Sequence, residues 1–230
     1  MHERKPRIGI LGIMQDLYDD MIPGIARRQE GYAAELAASL AEVGEFVPGQ
    51  VVKHREDAER VMREFESSDL DGVLVVMLTY GPAMRVARLL AQSRLPICLA
   101  NIQPEPAVTP AWDMADMTYN QGVHGAQDTA NAMVRAGRAF CALTDDWRSK
   151  AFHADVGRWA RAAAAVTAWR SLKVALVGYA MNDDEKSVKP IAFAGVEQDY
   201  IDKFKITWGD SERGLGPTGT AIRTGKIARG

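Results

Sequence analysis

The sequence predicts an α/β fold, because short apolar runs alternate along the chain with longer segments of helical periodicity. One run, Gly72 to Met77, is apolar throughout, which is typical of a strand buried on both faces of a parallel sheet. With 47% apolar and 25% charged residues, the composition is that of an ordinary globular protein. These observations predict a doubly wound parallel sheet of the Rossmann or flavodoxin-like type, followed by a short β-rich C-terminal segment.

Five strands are predicted for the sheet. They cover Arg7 to Ile13, Phe46 to Val52, Gly72 to Met77, Leu95 to Ala100 and Arg138 to Leu143. Helices are predicted at Ile22 to Val43, Asp57 to Phe65, Pro82 to Leu90, Gly125 to Arg135 and Trp147 to Trp169. Apolar residues spaced by three or four give these segments one buried face, so that helices can cover the sheet.

The chain changes character after the last of these helices. A sixth strand is predicted at Leu172 to Tyr179, and the glycine-rich stretch Asp183 to Gly230 predicts short strands and turns. We therefore divide the chain into an α/β domain of residues 1–171 and a β-rich segment of residues 172–230, with the change of composition completed near residue 180.

Charge and hydropathy exclude several classes of protein. The chain has 28 basic and 30 acidic residues, a formal charge of −2, which gives no electrostatic attraction to nucleic acid or to an anionic membrane. The stretch Met1 to Arg7 lacks the apolar core of a signal peptide, and no later run has the length of a spanning helix. We expect a cytoplasmic protein without nucleic-acid or membrane partners.

Both cysteines, Cys98 and Cys141, lie within predicted strands. Apolar surroundings of this kind favour buried free thiols over a disulfide or a metal pair.

Polar side chains are concentrated in the loops that follow strands. Gln15 and Asp16 follow the first strand, Tyr80 follows the third, and the long segment Asn101 to Asn120 follows the fourth and leads to His124. In an open parallel α/β sheet, ligands bind outside the carboxyl ends of the strands. Amide, phenol and imidazole groups at that edge suit a polyhydroxylated ligand, whose hydroxyl groups need both donors and acceptors.

Each of these residues also has a structural explanation when it is considered alone. Gln15 and Asp16 could satisfy backbone groups of their own loop. Tyr80, before Gly81 and Pro82, could pack its ring in a turn, and His124 could bond to the start of a helix. Their joint position on one edge favours the functional interpretation.

Three motifs occur in order at these loops. Ile13 to Tyr18 contains a Gln-x-Leu-Tyr pattern, Met77 to Ala83 reads Met-x-Thr-aromatic-x-Pro-Ala, and Asp113 to Gly125 begins with Asp-Met and ends with Asn-Gln-x-x-His-Gly. The three motifs resemble those of the L-arabinose isomerase family and, more broadly, the L-fucose and L-arabinose isomerase superfamily. The third is the most specific.

The resemblance implies an aldose–ketose isomerase scaffold that assembles as a homo-oligomer, with these loops helping to bind sugar at the active site of a neighbouring subunit. Carried over by position, the substrate-contacting residues are Gln15, Leu17, Tyr18, Tyr80, Gln121 and His124. The implied reaction moves hydrogen between adjacent sugar carbons, using carboxylates as acid and base and a divalent metal, typically manganese.

The metal ligands of that family have no matching positions in this chain. In the family, two glutamates and two histidines come from middle and C-terminal domains, in a chain about twice this long, well beyond one typical domain. Here no histidine follows His153. We therefore expect a chain with sugar-contacting loops but no catalytic residues, no metal site and no cofactor of its own, inactive by itself.

The tail resembles a second family. Its relevant segments are Lys189 to Gly195, Ile206 to Ser211 and Gly214 to Lys226, of which the Gly-Pro-Thr-Gly-x-Ala-Ile-Arg-x-Gly stretch is the specific part. They are similar to parts of a GAF sensor domain of bacterial signalling proteins, although a whole domain of that kind needs roughly 150 residues. The combination predicts a chimera, either recombined, engineered or truncated, in which the tail strands complete a fold.

Three functional hypotheses follow. The chain is an isomerase-family domain that contacts sugar, a non-catalytic small-molecule-binding or sensor module, or a scaffold without activity. Sugar binding separates the first from the last.

Overall fold

A computed structural model describes residues 4–171, 175–195, 197–203 and 205–228 of the protein. Contacts divide the chain into two compact units, of which the first ends at Trp169 and the second begins at Arg170. Among the described helices, none combines the length and the apolarity needed to cross a membrane.

The first unit contains a sheet of five parallel strands. They are β1 (Arg7–Ile13), β2 (Glu45–Pro48), β3 (Gly72–Met77), β4 (Ile97–Asn101) and β5 (Cys141–Thr144). Their order across the sheet is β2-β1-β3-β4-β5, the flavodoxin-like order of a doubly wound fold. Every residue of β3 is buried, as its apolar run predicted. The predicted parallel α/β sheet is therefore confirmed.

Helices cover both faces of this sheet. The bounds are α1 (Leu17–Met21), α2 (Ile25–Ser39), α3 (Arg55–Ser67), α4 (Ala87–Gln92), α5 (Met114–Tyr119), α6 (Val123–Arg135) and α7 (Lys150–Ser171), with a 3₁₀ turn at Ala83–Arg85 before α4. Leu36 of α2 and Phe152 of α7 belong to the core on one face. Phe65 of α3 and Met133 of α6 belong to the core on the other.

Several predicted boundaries are wrong, each for a local reason. The helix predicted from Ile22 begins at Ile25, because Gly24 has a φ of +88° and interrupts the chain between α1 and α2. The strand predicted from Arg138 begins at Cys141, because Gly137 adopts a φ of +67° and the Arg138 N–H still donates to Met133 of α6.

The helix predicted from Trp147 begins at Lys150 instead. The Ser149 hydroxyl oxygen accepts a hydrogen bond of 2.9 Å from the Phe152 N–H, as an N-cap does. Trp147 is buried outside the helix and donates its indole N–H to the Pro104 carbonyl oxygen at 3.2 Å. The strand predicted to reach Val52 ends at Pro48, although Val52 contacts β1 again through a single bridge to Ile13.

The second unit contains an antiparallel pair, β6 (Ala175–Ala180) and β7 (Val188–Ala194). Residues 172–174 of the sixth predicted strand lie outside the described residues. The prediction of only strands and turns in the tail is wrong, because the tail also contains α8 (Gln198–Lys203) and α9 (Pro217–Thr224). In α9, proline occupies the first turn and Gly225 ends the helix with a φ of +65°, so the glycine-rich stretch carries helix-boundary signals.

Candidate functional site

The strand order reverses between β1 and β3, so the loops that follow these two strands flank a crevice at the carboxyl edge of the sheet. The two loops are in direct contact, because the Leu78 N–H donates to the Ile13 carbonyl oxygen at 2.8 Å. We call the residues that follow β1, β3 and β4 at this edge the rim; it comprises the loops 14–16, 78–82 and 102–122 and the first turns of α1 and α6.

Thr79 fixes the first two rim loops to each other. Its side chain is fully buried, and its hydroxyl oxygen accepts a hydrogen bond of 3.1 Å from the Gln15 N–H. The same hydroxyl donates to the Tyr80 carbonyl oxygen at 3.0 Å. One side chain therefore sets the backbone on which both Gln15 and Tyr80 stand.

Gln15 has an unsatisfied acceptor. The residue is half-buried, and its Oε1 atom is shielded from solvent without a hydrogen-bond partner among the described residues. A buried polar atom left in this state costs about 1–3 kcal/mol. A ligand hydroxyl group would supply the missing donor once the half-buried side chain turns toward it, because the oxygen is shielded in the described conformation.

Arg85, in the 3₁₀ turn after β3, holds the first rim loop from the other side. Its guanidinium donates to Asp16 Oδ1 at 2.9 Å and to the Met14 carbonyl oxygen at 3.3 Å. The Arg85 guanidinium holds the pKa of Asp16 below its ordinary value, so Asp16 stays ionised at neutral pH. Asp16 therefore acts as an anchor of the loop, paired within the protein.

Two phenols lie at the same part of the rim. Tyr18 and Tyr80 are both half-buried. Burial, and then the neighbouring Tyr80 phenol, raise the pKa of Tyr18, which keeps it neutral and able both to donate and to accept a hydrogen bond. Leu17, the first residue of α1, is 52% exposed and lies on the outer side of the rim.

The start of α6 packs directly on the end of β3. A Cβ atom at Gly122 would lie under 3.0 Å from the Met77 carbonyl oxygen, and one at Gly125 would lie 3.2 Å from the Gly81 backbone nitrogen. Only glycine permits the approach at position 122, and the approach at position 125 would be tight for any other residue. They bring the first turn of α6 against the loop that carries Tyr80.

Gln121 and His124 lie at this helix start. Gln121 is half-buried, and His124 is exposed in the first turn of α6. Both line a cavity of about 310 Å³ whose other walls include Trp112 and Met114. The cavity combines aromatic and apolar walls with an amide and an imidazole.

The structure thus places the six predicted contact residues along one rim. Gln15, Tyr18 and Tyr80 lie around the first two loops, whereas Gln121 and His124 line the cavity at the start of α6. The close packing of Gly125 against the Gly81 backbone brings the two groups of residues together. Leu17 differs from the other five, since it is a large apolar side chain that is mostly exposed.

The family model described as the L-arabinose isomerase N-terminal domain matches residues 6–171. The chain belongs to this family. The match ends near the end of α7 and contains every rim residue named above.

Curated relatives agree with this membership. An L-arabinose isomerase of Geobacillus kaustophilus (strain HTA426) is 30% identical over 142 residues, which are 60% of this chain and 28% of the relative. An L-arabinose isomerase of Pectobacterium carotovorum subsp. carotovorum (strain PC1) is 30% identical over 115 residues, 49% of this chain and 23% of the relative. The chain thus spans about a quarter of the length of these relatives, 23% of the one and 28% of the other.

Two residues of the third motif build the rim of this family member. Asp113 caps α5, since its carboxylate accepts from the Ala115 and Asp116 N–H groups at 2.8 and 3.0 Å. Asn120 is 5% exposed, and its side chain exchanges hydrogen bonds of 2.9 and 3.1 Å with the Glu105 backbone. These contacts fold the loop after β4 over the sheet edge.

Sequence reasoning missed two positioning residues. Gln29 of α2 is fully buried and donates to the carbonyl oxygens of Leu78 and Tyr119, which ties two rim loops to the helix below. The available signal was an amide on the apolar face of α2. The signal for Arg85 was weaker, since it is only an arginine three residues after Pro82 of the second motif. Nothing in the spacing of the sequence indicated that its partner is Asp16.

No three histidine, cysteine, aspartate or glutamate side chains converge on a metal-binding position within the described residues. The metal that the family resemblance implies therefore has no matching ligand set in this part of the chain. Of the four histidines, His2 lies outside the described residues.

Proposed function

We propose that the α/β domain of this chain supplies the sugar-contacting rim of an aldose–ketose isomerase for L-arabinose-type sugars, with no catalytic residue and no metal of its own. Family membership supports the reaction class, since the curated relatives are called L-arabinose isomerases. The unsatisfied Gln15 Oε1 at the switch point of the sheet is the observation that carries the proposal.

The rim side chains match the chemistry of a sugar. Each sugar hydroxyl is both a donor and an acceptor, so an unpaired amide oxygen and two phenols can bind neighbouring hydroxyl groups. Gln15 accepts, while Tyr18 and Tyr80 donate or accept as the sugar requires. Gln121 and His124 bind the remaining part of the sugar from the cavity beside them, whose apolar walls pack against the sugar's carbon atoms.

In this proposal the chain binds and orients the sugar but does not move its hydrogen. The carboxylate of the first rim loop, Asp16, is paired with Arg85 and has a lowered pKa, which makes it a poor general base at neutral pH. Manganese, where a relative holds it, would polarise sugar oxygens. The acid and base groups would then come from outside the described part of this chain.

Exposed apolar side chains around the rim support assembly with a second protein surface, as in a homo-oligomer. Met84, in the 3₁₀ turn that follows the second rim loop, is 74% exposed, and Met114 in the third rim loop is 77% exposed. Val108 and Met117 of the third rim loop and Met21 at the end of α1 are exposed as well. Apolar side chains concentrated around a polar site are typical of a surface that another protein covers. We therefore propose that the rim completes a site on a neighbouring subunit. A cytoplasmic location stays a prediction.

Calorimetric titration with L-arabinose and with the matching pentitol tests the proposal. We expect the parent to bind both weakly, and Gln121→Ala and His124→Ala to reduce the affinity by at least about tenfold, which corresponds to the loss of about 1.4 kcal/mol. Gln92→Ala is the matched control, because Gln92 is exposed at the end of α4, on the opposite edge of the sheet. Equal affinities in all four proteins, or no binding by the parent, would contradict the proposal. Conversion of L-arabinose by the parent with manganese would show that catalytic groups are present after all.

A second candidate is small-molecule binding by the second unit, in keeping with the sensor hypothesis. Residues from β7 to the 3₁₀ turn at Glu212–Gly214 line a cavity of about 810 Å³, and an adjoining one of about 490 Å³ reaches α9. Lys205 and Arg213 line both cavities; Glu185 and Asp202 also line the larger one, whereas the described lining of the smaller one adds Lys203 and contains no carboxylate. Three basic side chains around the smaller cavity favour an anionic ligand.

Titration with inorganic phosphate and pyrophosphate tests this second candidate. Weaker binding by Arg213→Gln, with sugar binding unchanged, would support it. No binding, or the same affinity in Arg213→Gln, would exclude it and leave the GAF resemblance of the tail as a prediction without a ligand.

A further inference from the structure

The two cysteines of the chain lie side by side on β4 and β5. Cys98 and Cys141 are register partners across these parallel strands, so their side chains leave the sheet on the same face, where both belong to the core beneath α2 and α7. Neighbouring strands lie about 4.8 Å apart. That spacing falls within the Cα separation of roughly 4.4–6.8 Å that a disulfide spans.

The two thiols differ in their access to solvent. Cys98 is fully buried on a central strand, whereas Cys141 is partly exposed because β5 is the edge strand of the sheet. Both are free thiols. A reagent in solution therefore reaches Cys141 first, and Cys98 only through Cys141.

The same neighbour makes Cys141 acidic. The Cys98 S–H, as hydrogen-bond donor to the adjacent sulfur, lowers the pKa of Cys141 to about 7, although burial and the Asp155 carboxylate of α7 act in the opposite direction. The Cys98 pKa is raised by its role as donor and by burial. Near neutral pH, the partly exposed Cys141 is therefore partly ionised, and the thiolate is the reactive form.

We propose that Cys141 and Cys98 form a thiol modification site, in which a peroxide oxidises Cys141 and Cys98 then resolves the product to a disulfide. The Cys141 thiolate attacks one oxygen of the peroxide, the O–O bond breaks, and hydroxide leaves and takes up a proton to become water. Cys98 then loses its proton, its sulfur attacks Cys141, and the S–O bond breaks with release of a second water. The thiol pair loses two electrons, and hydrogen peroxide is reduced to two waters.

The disulfide would join β4 to the edge strand beneath a part of the rim. Asn101 and Thr144, three residues after the respective cysteines, are also register partners, and the Asn101 amide donates to the Thr144 hydroxyl at 3.3 Å. Both line a groove of about 230 Å³. Oxidation is thus expected to hold this groove more rigidly.

Oxidation of the reduced chain with hydrogen peroxide at pH 7 tests the proposal. After denaturation and alkylation, we expect an intact mass lower by two hydrogen atoms and a linked pair of peptides containing Cys98 and Cys141. In Cys98→Ala, dimedone should instead trap a sulfenic acid at Cys141, formed more slowly than the disulfide of the parent because the S–H donor that lowers the pKa of Cys141 is gone. In Cys141→Ala, Cys98 should stay reduced. Intermolecular disulfides only, oxidation of Cys98 in Cys141→Ala, or two intact thiols in the oxidised parent would overturn it.

A second measurement avoids the substitutions, which remove core side chains. The rate of iodoacetamide labelling at Cys141 of the parent should level off above about pH 8, because the thiolate is then fully formed. An ordinary thiol, with a pKa near 8.5, would still gain rate through about pH 9. A rate that keeps rising through that range, or labelling that starts at Cys98, would contradict the assignment of Cys141 as the reactive thiol.

Discussion

The two halves of the rim are held in place by different forces. Around Gln15 and Tyr80, polar side chains fix the loops, through the Thr79 hydroxyl and the Arg85 guanidinium. At the start of α6, backbone packs on backbone, and glycine at position 122 makes the approach possible. Residues outside the proposed contact set therefore determine where the proposed contact residues stand.

Gly122→Ala should lower the free energy of unfolding most, because it disrupts the packing of the start of α6 on the end of β3. The new Cβ would meet a carbonyl oxygen that cannot move without displacing β3, so we expect a loss of about 3 kcal/mol in the free energy of unfolding. Urea unfolding measures it. Gly31→Ala, in the middle of α2 with no atom within 4 Å of the new Cβ, is the control and should stabilise the protein by about 0.5–1 kcal/mol. Equal stability of the two variants would show that the helix start is not tightly packed.

Thr79→Val should lower the free energy of unfolding by a smaller amount. It removes the hydroxyl group that holds the first two rim loops together and keeps the shape of the side chain. The Gln15 N–H would lose its acceptor in a buried place, at a cost of about 1–3 kcal/mol in the free energy of unfolding. Thr109→Val, at an exposed loop position, should change stability by less than about 0.5 kcal/mol. If Thr79→Val is as stable as Thr109→Val, Thr79 does not fix the two loops.

Asp16→Asn tests how much the ion pair between Asp16 and Arg85 contributes to stability. The Asp16 carboxylate is about two-fifths exposed, so its pair with Arg85 should contribute no more than about 1 kcal/mol. Because the folded-state pKa of Asp16 lies below its ordinary value of 3.8, this contribution is present above pH 3.8 and is lost as pH falls through the folded-state pKa. The stability difference between parent and Asp16→Asn should therefore shrink in acid. A difference that is constant from pH 7 to pH 2 would contradict the ion pair.

Gln15→Leu should be the one substitution of this series that does not lower the free energy of unfolding, because it removes a buried amide oxygen that has no partner in the described structure. Sugar affinity should nevertheless fall. Gln29→Leu is the contrasting variant, since it orphans two buried carbonyl oxygens and should cost about 1–3 kcal/mol. Equal destabilisation by both would mean that Gln15, like Gln29, is a structural residue.

The sequence predicted the sheet better than the rim. The apolar run of β3 and the alternation of strands and helices were sufficient for the parallel fold, because burial on both faces leaves few other arrangements. The breaks at Gly24 and Gly137 were missed because a positive φ depends on local packing that periodicity does not reveal. Likewise, α9 was missed because its glycine-rich sequence predicted turns, although a proline at its start and a glycine at its end are typical helix-boundary residues.

Motif resemblance located the candidate contact residues, but it did not separate them from their supports. Asp113 and Asn120 stand in the same motif as Gln121 and His124, yet they cap α5 and fasten the loop after β4. Arg85 holds a rim loop through Asp16, which is 69 residues away in sequence. Gln29 holds another through Leu78, which is 49 residues away. Contacts at such separations follow from the fold and are not visible in local spacing.

Side-chain amide NMR of the parent during titration with L-arabinose tests the sugar-binding rim most directly. We expect the Gln15 and Gln121 amide resonances to shift together along one saturable curve, while the Gln92 amide on the opposite edge of the sheet stays unchanged. Shifts confined to residues of the second unit, or no shift at saturating sugar, would contradict the proposal that this rim binds the sugar.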